Sequence, residues 1–195
     1  AGAVGPDEPD SVALRHRPLE VDPPSAMAGL RLAAVLTDTV RLKSPTTTDV
    51  DREVVCWLSG ELDIDHDEFG MEMFRARSHG RAFSAEGIVK ADLKEYRIGD
   101  ALMAISQVET VDLEEVLGHR DEIVAYMERM TNDRGYGAAL LMVTDVVREG
   151  SELLVVGKRR IAERAFGLSF ESGSAWFDGM LSRKKQVAPR LVESA

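Results

Sequence analysis

The sequence is poor in cysteine, in positive charge and in long apolar runs, and each shortage removes a class of protein. One cysteine, Cys56, in 195 residues rules out an internal disulfide framework and a thiolate metal cluster, and it fits a reducing compartment. Flanked by Val54, Val55, Trp57 and Leu58, Cys56 is expected to be a buried helix residue rather than a nucleophile. No stretch approaches the ~20 apolar residues of a membrane-spanning helix. The segment from Ala1 to Asp10 has neither the basic start nor the apolar run of a secretory signal, so a cytoplasmic protein that does not span a membrane is expected. Lys and Arg number 24 against 34 Asp and Glu, a net charge of −10, which argues against the broad basic surface that nucleic acid requires.

The scarce positive charge is concentrated near the C-terminus. Residues 158–195 carry eight Lys/Arg and four Asp/Glu, whereas residues 1–157 carry sixteen and thirty. Its centre is Ser182-Arg183-Lys184-Lys185-Gln186. Ser182 is a good helix N-cap, and it places Arg183 and Lys184 in a first turn where cations oppose the helix dipole. Cations in that position make sense when an anion joins them, because exposed N–H groups and charged side chains then converge on it. The same residues would also suit a solvated basic turn. A local positive site on an acidic body points to a small, highly charged anion.

The 44% hydrophobic content suffices for one full-sized domain. Residues 1–23 hold most of the prolines and read as a flexible tail or linker. The periodicity predicts a helix over residues 26–40 with Leu30, Ala33, Ala34 and Thr37 on one face, and a second from a Thr46–Asp49 capping cluster to about Ser59 with Val50, Val54, Trp57 and Leu58 inward. A third is expected over residues 65–76, with Phe69, Met73 and Phe74 as its apolar contacts, and a short fourth over 84–90. The period then becomes strand-like. A hairpin turns at Gly99-Asp100 between residues 94–98 and 101–108. Asp112 caps a long helix reaching about Asn132, and the unbroken apolar run 138–147 reads as a buried central strand. Residues 151–156 pair with it, a helix covers 158–166, and short strands are expected at 168–171 and 175–177. The fold class is α/β, a mixed central sheet with helices packed on it.

Several stretches, taken in order, resemble the C-terminal part of the manganese-dependent (family II) inorganic pyrophosphatases of the Asp-His-His phosphoesterase superfamily. They are Ala28-Gly29-Leu30 through Asp38-Thr39, Leu42 through Thr48, Phe69 through Phe74, Asp92 through Tyr96, Gln107 through Asp112, and Ser182 through Val187. The resemblance runs from about residue 24 to the end. It implies that residues 24–45 close an α/β metal-binding domain and that residues 46–195 form the C-terminal, substrate-binding domain. It also implies that Asp38 is a metal ligand, for Mn²⁺ or Co²⁺ with Mg²⁺ accompanying substrate, and that Lys94, Arg183 and Lys184 bind the phosphates of pyrophosphate. Hydrolysis of diphosphate to two phosphates by a two-metal mechanism follows, with a homodimer or a separate metal-binding domain as partner. Mn²⁺ accepts carboxylate ligands, and pyrophosphate needs metals and cations to admit a nucleophile, so the chemistry is consistent.

The departures are as informative. No His-x-x-x-Asp-x-Asp or Asp-His-His motif is present. Asp65-His66-Asp67 is best explained by Asp65 capping a helix and His66 lying exposed, and His16, His79 and His119 read as surface residues. Without the family, Asp38 would pass for a capping residue and Lys94 for an exposed strand-edge lysine. Lys185, about 100° further round a helix than Lys184, is left open. Three functions follow: the pyrophosphate-binding half of a pyrophosphatase, inactive alone, which is the reading the resemblance favours; an exopolyphosphatase-like phosphoanhydride hydrolase; or a non-catalytic anion-binding module.

Overall fold

Strand-forming sequence dominates the centre of the chain. In the computed structural model, which describes residues 25–79, 83–170 and 172–194, it forms a five-stranded sheet in the order β1-β2-β3-β4-β5. The strands are β1 (Lys94–Ile98), β2 (Ala101–Thr110), β3 (Ala138–Asp145), β4 (Gly150–Gly157) and β5 (Ser174–Asp178). Neighbours run antiparallel except β2 and β3, which are parallel. The mixed α/β class is as expected. The β1–β2 turn is tight, with Ile98 opposite Ala101, and Gly99 supplies the positive φ of 56° that a two-residue hairpin needs. Every residue of β3 is buried, as its continuous apolar run predicts for a central strand covered on both faces. Gly150 at the start of β4 is required, since a Cβ there would meet the Trp176 ring at 2.3 Å.

Alternation along the strands divides the core. Ala139, Leu141 and Val143 face one layer with Ile123 and Met127; it is covered by α4 (Ala85–Lys90), α5 (Leu113–Leu117) and α6 (Arg120–Arg134). Ala138, Leu140 and Met142 face the other, with Ala162, Phe170, Val187 and Leu191; here lie α7 (Arg160–Phe166), a π turn (Arg183–Val187) and α8 (Ala188–Glu193). At the N-terminal side α1 (Ser25–Asp38), α2 (Asp49–Leu62) and α3 (His66–His79) share a third core of Leu32, Leu36, Val55 and Leu58. Thr48 and Asp51 form a full capping box at the start of α2.

Several expectations need correction. The buried stripe of α1 is Ala28, Leu32 and Leu36, and Leu30 is 66% exposed, because this alanine-rich helix is apolar on more than one side. Val50 is exposed in the first turn of α2, and Cys56 is exposed on the outer side of that helix rather than buried. His66 is half-buried rather than exposed. The single helix expected after Asp112 is two: Asp112 does cap α5, but Gly118 ends it, and its N–H returns to Glu114 and Val116. β3 stops at Asp145, whose carboxylate accepts the N–H groups of Val147 and Arg148 and turns the chain. Residues 168–170 form a loop rather than a strand. Glu163 accepts the N–H of Phe170, whose carbonyl accepts from Arg159, so the ring is fixed in the core. The tail reading for residues 1–23 and the reading of His16 lie outside the described residues, as does the side chain of His79.

Candidate anion and metal site

The inner row of the sheet changes character where parallel strands β2 and β3 end. Along β2 the face carrying Met103 and Ile105 continues to Gln107; the same face of β3 reaches Thr144, and that of β4 begins at Ser151. These three polar groups anchor the segment that carries the basic motif. Ser151 Oγ donates to the Met180 carbonyl at 2.5 Å. With that hydrogen committed, Ser151 accepts from Thr144 Oγ1 at 2.9 Å, and Thr144 in turn accepts from Gln107 Nε2 at 3.1 Å. Gln107 Nε2 also donates to the Leu181 carbonyl at 3.0 Å, and its Oε1 accepts the N–H of Arg183 at 3.0 Å. Gln186 completes the frame: its Oε1 accepts from Leu181 and Ser182, and its Nε2 donates to Gly179. Ser182 caps the π turn as expected, accepting the N–H of Lys185.

Opposite this turn stands the C-terminal end of α1. The chain leaves it through a left-handed turn in which Val40, Arg41 and Leu42 have φ of 47°, 56° and 63°. Successive L-residues in this region cost roughly 1–2 kcal/mol each, so surrounding contacts must hold them. Thr39 Oγ1 accepts from the Leu42 N–H, Arg41 pairs with Asp67 at 3.0 Å, and Lys43 pairs with Glu149 at 3.2 Å. Val40 packs against Phe74 and Val146. Asp65, as expected, is a cap, accepting the N–H groups of Asp67 and Glu68, and those bonds hold its carboxyl below the usual range.

Between α1 and the π turn lies a cavity of about 370 Å³, lined by Asp38, Arg77, Asp92, Gln107, Glu109, Arg183 and Lys184 among others. It brings together Asp38, Arg183 and Lys184. Lys94 does not line it; this exposed residue begins β1 two positions after Asp92. Arg183 is nine-tenths buried and pairs with the Asp92 carboxylate at 2.8 Å and with the Asp92 carbonyl. Its Nε is buried with no hydrogen-bond partner among the described residues. An unpaired buried donor on a cation costs free energy. Arg77, Asp92, Gln107 and Glu109 were not singled out as site residues from sequence. Gln107 and Asp92 sit inside matched stretches, whereas nothing in the sequence distinguishes Arg77 from any other helix-surface arginine.

Asp38 offers this site a hard-oxygen donor. Asp38 is exposed at the cavity wall, and its carboxylate has no ion pair or side-chain hydrogen bond among the described residues. It fits as a single ligand for a hard or borderline divalent ion. Among the described residues no three His, Cys, Asp or Glu groups are placed to hold a metal ion, so these residues do not fit a two-metal centre by themselves.

Residues 71–194 match the DHHA2 domain model. The chain belongs to the DHHA2-domain family. This DHHA2 protein is 39% identical over 166 residues to a protein of Methanocaldococcus jannaschii named manganese-dependent inorganic pyrophosphatase, covering 85% of this chain and 54% of that one. It is 40% identical over 176 residues to an Archaeoglobus fulgidus protein whose name assigns it the same activity, covering 89% and 55%. A Methanococcus jannaschii crystal structure assigned to the family II inorganic pyrophosphatases superposes with a TM-score of 0.81 at 37% identity, over 90% of this chain and 57% of that one. The DHHA2 protein therefore spans about half the length of the relatives it matches. No helix among the described residues is long and apolar enough to cross a membrane.

Proposed function

We propose that this chain is the substrate-binding half of a manganese-dependent inorganic pyrophosphatase, with residues 24–45 closing a metal-binding domain and 46–195 forming the substrate domain. The observation that carries this reading is the cavity in which a free carboxylate, Asp38, faces two cations of the π turn, Arg183 and Lys184. Arg183 and Lys184 bind the phosphates. Arg183 does so with a buried, preorganised guanidinium and Lys184 as an exposed point charge. Lys94 is assigned with them on the family resemblance. Asp38 would hold one Mn²⁺ ion, which when bound supplies an activated water and charge neutralisation. The remaining ligands come from a metal-binding domain outside the described residues. Exposed Met27 and Leu30 on α1 give that domain an apolar surface to pack on. A cytoplasmic setting suits the substrate and the single cysteine, and a homodimer suits the same scheme.

The test is titration calorimetry with pyrophosphate. Arg183→Ala is expected to weaken binding by about 1.5–3 kcal/mol, the usual worth of a hydrogen bond to a charged group, and Lys184→Ala by less. Unchanged affinity in both variants would remove the reading. Tripolyphosphate bound far more tightly than pyrophosphate would favour the exopolyphosphatase-like alternative.

A further inference from the structure

The cavity contains one cation that the basic motif does not account for. Arg77 lies near the end of α3 and lines the same space as Asp38, Arg183 and Lys184. Its Nη1 is 3.3 Å from Glu109 Oε2, and its Cζ lies 5.5 Å from the centre of the Phe74 ring. Phe74 is itself buried against Val40 and Val146, so the ring is a fixed platform. Two elements thus aim the guanidinium while 42% of its side chain remains open. Glu109 is the more enclosed partner, with 19% of its side chain exposed, so it holds the arginine from the β2 side. The cavity wall also carries three carboxylates, Asp38, Asp92 and Glu109, which would repel a polyanion unless balanced by cations.

The spacing bears on the ligand. Gln107 holds the backbone of Arg183 and Glu109 holds the guanidinium of Arg77. Gln107 and Glu109 are two residues apart on one face of β2, which separates the two anchors by about 7 Å along the strand. Arg77 and Arg183 are thus anchored at two separate points along the strand and line one cavity, so a ligand with negative charge at more than one centre can engage both. We propose that Arg77 is a third anion-binding cation of this site, taking the terminal phosphate of a bound phosphoanhydride, with Glu109 as the carboxylate that orients it. The inference rests on the phosphoanhydride reading given above.

Calorimetric titration of the 195-residue chain with inorganic phosphate, pyrophosphate and tripolyphosphate, at one low ionic strength and without metal, tests it. Arg77→Ala is expected to lower affinity for the two longer anions about tenfold, near the lower end for a charge-assisted hydrogen bond, and to leave phosphate binding nearly unchanged. Arg77→Lys should recover part of the loss, since it restores the charge without the planar fork. If Arg77→Ala unfolds the chain, Arg77→Gln, which keeps a donor for Glu109, should show the same selective loss. Unchanged affinity for all three anions in Arg77→Ala, with Arg183→Ala still weakened, would overturn the role of Arg77 and leave the site standing. An equal loss for all three would overturn the terminal-phosphate role. If Arg183→Ala also binds all three anions unchanged, the phosphoanhydride reading itself falls.

Discussion

Gln107 accepts the main-chain N–H of Arg183 at 3.0 Å, tying strand β2 to the first residue of the basic turn seventy-six positions later. The same amide donates to Leu181 and Thr144, so one side chain fixes the path of the loop and the origin of the guanidinium together.

Gln107→Leu should therefore lower both stability and anion affinity. It strands the Arg183 N–H and the Leu181 carbonyl without partners, at a cost of about 1–3 kcal/mol, to be read by denaturant unfolding. Pyrophosphate affinity should fall as well, although Gln107 carries no charge, because Arg183 loses its fixed origin. Full affinity in a destabilised variant would show that the π turn is positioned by other contacts.

The sequence revealed those parts of this site that are local. Ser182 announces a cap in five consecutive residues, Gly99-Asp100 announces a hairpin, and the run from Ala138 announces a buried strand; all three are present. Gln107, Asp92 and Arg77 acquire their roles only through partners on other elements, and a polar residue within a strand has no pattern that names its partner. Leu30 shows the same limit. An apolar period identifies a helix, but when two sides of α1 are apolar it does not say which one this chain buries.

Asp65 offers a check by pH. Its carboxylate accepts the N–H groups of Glu68 and Asp67, which lowers its pKa from the usual 3.8. A depressed folded-state value means that the cap's contribution is fully present above the unfolded pKa and is lost as pH falls through the folded one. Asp65→Ala should accordingly lower the unfolding midpoint at neutral pH, and the gap to the unsubstituted chain should close under acid conditions below that range. A gap that persists unchanged in strong acid would show that the side chain acts by packing instead.

Asp38→Asn should leave the fold intact. The carboxylate faces the cavity and has no ion pair among the described residues, so its loss strands no partner, and removing one acid from a wall shared with Asp92 and Glu109 relieves repulsion. Without metal, the thermal midpoint is expected to be equal or higher, while Mn²⁺ affinity drops. A marked loss of metal-free stability would identify Asp38 as a structural cap of the left-handed turn.

The 195-residue chain on its own should hydrolyse pyrophosphate negligibly at any Mn²⁺ concentration. On the proposed reading Arg183 and Lys184 bind pyrophosphate, but binding the ground state does not lower the barrier unless a nucleophile is activated in the transition state. Two ions held at bridging distance need several protein donors, and among the described residues no group of three or more His, Cys, Asp or Glu is placed to hold a metal ion. Joining the chain to a domain bearing His-x-x-x-Asp-x-Asp and Asp-His-His should produce Mn²⁺-dependent phosphate release, and Asp38→Asn should abolish that gain. Turnover by the unjoined chain at about 1 s⁻¹ or faster, within the ordinary enzyme range, would require a complete metal site on this chain. Asp65, His66 and Asp67 at the start of α3 would then be the first residues to replace, with loss of Mn²⁺ dependence as the readout.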